Sequence, residues 1–220
     1  MYKNFISFLA SVIFPSEQIV VVVSDDLNAT GGTMQRYEKY QEWEKVGTPV
    51  AVVLGRSGMG YAQGREPLKF EGDGRSPAGV FPITSTFGYD EPPVGAMPYL
   101  HADERLICVD DGDDGRYNRI VSLEGESPKS FEWMRRRDGV YRYGAVIGYN
   151  EPVQKGRGSC IFIHLNHTDR HPTSGCTAMD EAPLLELLRW LDPEKKPRIV
   201  QFPKSECATY TKEFEGIECE

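Results

Sequence analysis

The chain has 220 residues and a formal net charge of −8. That length suits one good-sized domain rather than two, and 40% apolar with 11% aromatic residues excludes disorder over most of it. The acidic balance offers no basic field to neutralise phosphates, which excludes nucleic acid as a partner.

At the N-terminus, Lys3 precedes an apolar run from Phe5 to Phe14, followed by Pro15 and Ser16. One positive charge, about ten apolar residues and a small residue beyond them have the pattern of a secretory signal, although no A-x-A cleavage site is present. The run is too short to span a bilayer, so no stable membrane span is expected. The expected organisation is a signal segment at 1–16, a folded domain at 17–204 and a C-terminal tail at 205–220, in an exported protein.

Residues 19–23 form a continuous β-branched run and predict a buried strand. Residues 25–32 supply turn formers. Segments 33–39 and 41–46 mix aromatic and charged residues and read as two strands of a meander. Gly31-Gly32 and Gly47-Thr48-Pro49 bracket them as turns, and 49–54 is a further buried strand. The glycine-rich stretch 55–79 contains no G-x-x-x-x-G-K-[ST], so it is not a phosphate loop; its end, 69–81, reads as a loop entering a strand. Residues 106–109 predict a strand, and the acidic loop 110–114 lacks calcium-loop spacing. Segment 128–137 reads as a helix, with Phe131 and Met134 on one face and Arg135, Arg136 and Arg137 at its cation-favouring end. Strands are expected at 143–148 and 160–164. Asp180 is placed to cap a helix running to Leu191, 198–202 is a last strand, and the tail from Ser205 is expected to be loose. Many short strands with few helices make the fold class mostly β, a β-rich α+β domain.

The most informative stretch is 160–179, C-I-F-I-H-L-N-H-T-D-R-H-P-T-S-G-C-T-A-M. An apolar run ends in His164. A polar loop carries His167, Asp169, Arg170 and His171. The turn Thr173-Ser174-Gly175-Cys176 then presents a thiol. An unperturbed thiol, with a pKa of about 8.5, is only a few per cent thiolate at neutral pH. A histidine beside it supplies the base that a thiol nucleophile needs. Of the five cysteines, Cys108 and Cys160 sit in apolar runs and read as buried free thiols. Cys207 and Cys219 lie in the polar tail and are able to pair.

These motifs resemble the YkuD-type L,D-transpeptidases of bacterial cell walls. Ser76-Pro77-Ala78-Gly79-Val80-Phe81 is similar to the family's [ST]-P-x-G-x-[FY] segment, Ile163-His164 to its strand-end histidine, and Thr173-Ser174-Gly175-Cys176 to its [ST]-x-G-C signature. The resemblance implies a YkuD-like β-sandwich, the catalytic domain at 17–204, and an exported enzyme of the periplasm or cell wall acting on peptidoglycan stem peptides, a tetrapeptide donor and an amine acceptor; no cofactor or metal is expected. It implies Cys176 as nucleophile, His164 as general base, and the Gly175 and Cys176 N–H groups as oxyanion hole. Ala178 stands where the family often has Arg or Asn. Contact with a substrate carboxylate is therefore expected from Arg75, Arg157 or Arg170, with Thr173 and Ser174 also facing substrate. With water as acceptor, the same site is an L,D-carboxypeptidase. Rivals of another class are a zinc site built from His164, His167, His171 and Cys176, and a non-catalytic wall-binding domain that keeps the turn.

Overall fold

The structure, a computed structural model, describes residues 16–151 and 153–219. The expected signal segment therefore lies outside the described residues, Ser16 excepted.

Strand β1 (Gln18–Ser24) is buried along its whole length. Its β-branched side chains suit a pleated surface, and the two-residue period sends Val20 and Val22 to one face and Ile19, Val21 and Val23 to the other. The two sets enter different apolar clusters, so β1 is a central strand covered on both sides. Antiparallel β2 (Gly31–Lys39) and β3 (Trp43–Val53) follow. The chain continues through β4 (Met59–Tyr61), β5 (Ser76–Gly88), β6 (Tyr99–His101), β7 (Leu106–Val109), β8 (Ile120–Ser122), β9 (Phe131–Trp133), β10 (Tyr143–Ile147), β11 (Phe162–Leu165) and β12 (Thr177–Met179). It ends with α1 (Glu181–Trp190), β13 (Arg198–Pro203) and α2 (Cys207–Glu213).

The main sheet runs β10-β11-β12-β3-β2-β1-β13-β5, and β5 also pairs with β10. β5 does this by dividing its length: residues 79–82 pair with β13 and 83–88 with β10. The sheet thus folds over as a sandwich-like layer pair, and the expected mostly-β class holds. Its interior is filled by Val22, Leu54, Ile83, Ile163 and Ile199, with Leu184, Leu187 and Leu188 of α1.

Two outer covers complete the molecule. A three-stranded sheet, β8-β7-β9, lies over the outer face of β11 and β5, where Cys108 and Met134 meet Phe87, Cys160 and Phe162. The C-terminal segment lies over β1 and β13, where Tyr210, Phe214 and Ile217 meet Ile19, Val21, Val200 and Phe202.

Four expectations are corrected. Residues 128–137 are not a helix: β9 occupies the segment and pairs with β7. Gly47-Thr48-Pro49 is not a turn, because β3 runs through it. A register shift between Met34 and Arg36 on the partner strand marks a bulge there, with Gly47 at φ +71°; only glycine adopts that conformation without strain. Cys108 and Cys160 are not free thiols but a disulfide joining the small sheet to the approach to β11. The tail is not loose: it forms α2, and a Cys207–Cys219 bond closes it.

Candidate active site

β11 and β12 run parallel, with His164 opposite Ala178. Alternation along β11 turns Ile163 and Leu165 into the interior, and Phe162 and His164 outward beneath the small sheet. Cys176 lies two residues before Ala178 and joins the same outer cluster. Strand spacing of about 4.8 Å and a rise of about 3.3 Å per residue put the His164 and Cys176 Cα atoms roughly 8 Å apart on one face.

The turn before β12 is fixed by hydroxyls. Thr173 Oγ1 accepts from Gly175 N–H at 3.1 Å and donates to the Cys176 carbonyl at 2.7 Å. Ser76 Oγ donates to the same carbonyl at 3.1 Å and accepts from Gly55 N–H at 2.9 Å. Gly175 sits at φ +144°, and a Cβ there would lie 2.9 Å from the Arg75 carbonyl oxygen. The position therefore requires glycine, both for backbone conformation and for space.

Cys176 is the free cysteine among the described residues and is 7% exposed. Its Sγ accepts from Phe162 N–H at 3.3 Å and faces the Cys160 carbonyl at 3.6 Å. Burial pushes the thiol up to about 12, and the Glu132 charge adds to this; the Phe162 N–H, Lys69 and Arg136 pull the other way. His164 is also buried, at 5% exposure. Its Nδ1 lies 2.7 Å from the Leu165 carbonyl. A carbonyl only accepts, so Nδ1 carries the proton and Nε2 is the basic nitrogen. Burial pushes His164 down to about 4, with Arg136 and His167 adding to the effect. At neutral pH the resting pair is therefore thiol and neutral imidazole, and no hydrogen bond joins the two.

The small sheet supplies the rest of the centre. The β7–β9 register sets Glu132 opposite Cys108, on the face turned toward the main sheet. Tyr141 donates to Glu132 Oε2 at 2.6 Å, and its ring centroid packs 5.2 Å from that of His164 and 5.6 Å from that of Phe162. The Arg136 guanidinium lies over the Tyr141 ring, 5.1 Å from its centroid. Burial raises the Glu132 carboxyl and holds the Tyr141 hydroxyl well above its usual range. A cleft of about 950 Å³ opens beside them, and both Glu132 and Arg136 line it.

A family model for the L,D-transpeptidase catalytic domain, YkuD, matches residues 17–200. The chain belongs to the YkuD family. No curated protein matches it. The YkuD assignment makes the domain one of an enzyme family that acts on peptidoglycan stem peptides. No helix among the described residues of this YkuD domain is long and apolar enough to cross a membrane.

The structure sorts the expected site residues of the YkuD domain. His164 packs on Tyr141 and Cys176 meets Phe162, which packs on the same tyrosine, with Gly175 just ahead of the thiol. Thr173 clamps the turn. Ser174 accepts from Arg56 Nη1 at 3.1 Å. Arg75 Nη1 is spent on the carbonyls of Ser57 and Met59, at 2.7 and 2.9 Å. Arg170 pairs with Asp180, which caps α1 without a side-chain hydrogen bond to its N–H groups. Arg157 donates to the Ala62 carbonyl at 2.6 Å. His167 stacks on His171 at 4.0 Å, and among the described residues no group of three or more His, Cys, Asp or Glu side chains is set to hold a metal ion.

Sequence reasoning missed Arg56, Lys69, Glu132, Arg136 and Tyr141. For Glu132 a signal was present. The triplet Phe131-Glu132-Trp133 has the apolar-polar alternation of a short strand, but one facing outward with its aromatics.

Proposed function

We propose that the domain is a peptidoglycan L,D-transpeptidase in which the Cys176 thiol attacks the carbonyl of the third stem residue, an L-centred diamino acid, and expels D-alanine. The observation that carries the reading is a lone free thiol on the same sheet face as a histidine whose Nδ1–H is fixed by the Leu165 carbonyl. That hydrogen bond leaves Nε2 as the base.

In the first step Sγ bonds to the carbonyl carbon while Nε2 takes the thiol proton. The tetrahedral intermediate then expels the amine, which receives that proton from His164, and a thioester remains. Gly175 N–H is occupied by Thr173 in the resting arrangement, so the Cys176 N–H is the turn donor left for the oxyanion. The acceptor amine next attacks the thioester. His164 accepts its proton and returns it to the sulfur. With thiol and imidazole both neutral at rest, proton transfer accompanies attack rather than preceding it.

Burial of both side chains shields the thioester from bulk water, which favours an amine acceptor over hydrolysis. Action outside the cytoplasm fits the two disulfides, which persist in oxidising compartments.

Mass spectrometry of muropeptides incubated with wild-type protein and with Cys176→Ala tests the reading. Wild type is expected to form 3–3 cross-linked dimers and release D-alanine; the variant is expected to do neither. Trimmed tripeptides without dimers would assign a carboxypeptidase. Undiminished D-alanine release by Cys176→Ala would refute the thiol mechanism.

A further inference from the structure

The cleft lined by Glu132 and Arg136 carries charges of both signs, with Glu104 among its acidic residues. Arg135, Arg136 and Arg137 follow one another there, beside Glu132, Trp133 and Asp138. Arg136 is the guanidinium of this cleft that also reaches the buried centre. It covers the Tyr141 ring, and its charge bears on Cys176, His164 and Glu132. Asp138 occupies its Nε and Nη2, at 3.0, 3.1 and 2.5 Å, while Nη1 carries no hydrogen bond. Arg135 is turned elsewhere, to the carbonyls of Tyr89 and Ala102. Arg75, Arg157 and Arg170 are each engaged away from the cleft.

We propose that Arg136 anchors the C-terminal carboxylate of the donor peptide. The inference rests on the thiol reading above. A single residue spans at most about 3.6 Å, so a carboxylate that close to the scissile carbonyl falls beside the nucleophile. The cation meeting it must therefore stand at the junction of cleft and buried pair. Arg136 lines the cleft and lies over Tyr141, whose ring packs on His164. Its free Nη1 provides one charge-assisted hydrogen bond, and release of Nη2 from Asp138 would complete a two-point grip on the carboxylate. The leaving D-amino acid would then be held by its carboxylate while its nitrogen takes the proton from His164.

The experiment measures binding of a stem tetrapeptide ending in D-alanine, and of the same peptide as its C-terminal carboxamide, to Cys176→Ala protein by calorimetry. The carboxylate is expected to bind about 10–100-fold tighter than the carboxamide. In Cys176→Ala/Arg136→Ala this preference should vanish, with both peptides near the carboxamide's affinity. Arg136→Lys should restore part of it, and Asp138→Asn should keep it. In the otherwise wild-type protein, Arg136→Ala should raise KM for the tetrapeptide with kcat much less affected. Equal binding of the two peptides by Cys176→Ala protein, no binding of either, or a preference that survives Arg136→Ala, each overturns the proposal. Failure of the thiol reading shows separately, as D-alanine release that persists in Cys176→Ala.

Discussion

At the residue scale, the thiol and imidazole that we propose as nucleophile and base stand out in the sequence because both sit in one local motif. A histidine closing an apolar run and a thiol behind a glycine carry their chemistry in twenty consecutive residues. Their protonation states were not legible, since those are set by burial under a distant part of the chain. An ion pair is the natural expectation from an isolated cysteine and histidine. The structure instead buries both, and desolvation disfavours each charged form. This has a consequence for stability. His164 titrates near 6.5 when unfolded and at about 4 when folded. Between these values the unfolded chain binds a proton that the folded one refuses, so stability falls as pH drops from 6.5 toward 4 and is flat above 6.5. The raised Glu132 carboxyl slopes the opposite way, so the comparison must be with a variant that keeps it. Urea unfolding of wild type and His164→Gln at pH 7 and 4.5 isolates the effect. Wild type should lose on the order of 2 kcal/mol more than the variant over that interval; equal losses would place His164 in contact with solvent.

At the scale of elements, the strands with β-branched runs were readable and the small sheet was not. Phe131 and Met134 are spaced as on a helix face, and three arginines follow as at a helix end. The register with β7 overrides this: Glu132 turns inward, and Trp133 is left 44% exposed. Three-residue strands carry too short a period to be separated from a helical turn. The cross-link that holds this cover was hidden for a related reason. Cys108 and Cys160 lie 52 positions apart, each in an apolar context that equally suits a buried thiol. The bond ties β7 to the residue just ahead of β11, so it secures Glu132 and Tyr141 against Phe162 and His164. Replacing both cysteines by serine should cost about 2–5 kcal/mol. Hydrogen exchange should speed up selectively at 107–109, 120–122 and 131–133 while β1 and β13 keep their protection, and turnover should fall with it. Unchanged exchange in the small sheet would mean that packing alone holds it in place.

For the whole molecule, the main sheet separates two outer layers with different tasks. One face carries the small sheet and the proposed active site; the other carries the C-terminal segment. A polar tail containing two cysteines reads from sequence as loose, because its apolar residues are spaced too widely to form a recognisable stripe. They form one only in space: Tyr210 stacks on Phe202 with centroids 4.2 Å apart, Phe214 meets Trp43 at 6.1 Å, and Ile217 is 5% exposed. Removing residues 205–220 would bare Ile19, Val21, Val200 and Phe202, the outward half of the central strands. With each large apolar side chain contributing about 1.5–3 kcal/mol when fully buried, and Tyr210 and Phe214 only partly so, the loss should be on the order of 4 kcal/mol. That corresponds to a fall in Tm on the order of 10 °C for a domain of this size. Turnover at 20 °C should stay within about twofold of the full chain, because the cluster around Cys176 shares no residue with the uncovered one. Calorimetry and a muropeptide assay on the same truncated protein read both quantities. An unchanged Tm would show that the tail adds no cover of consequence. Loss of turnover in a protein that melts normally would show that the two faces are coupled through the sheet.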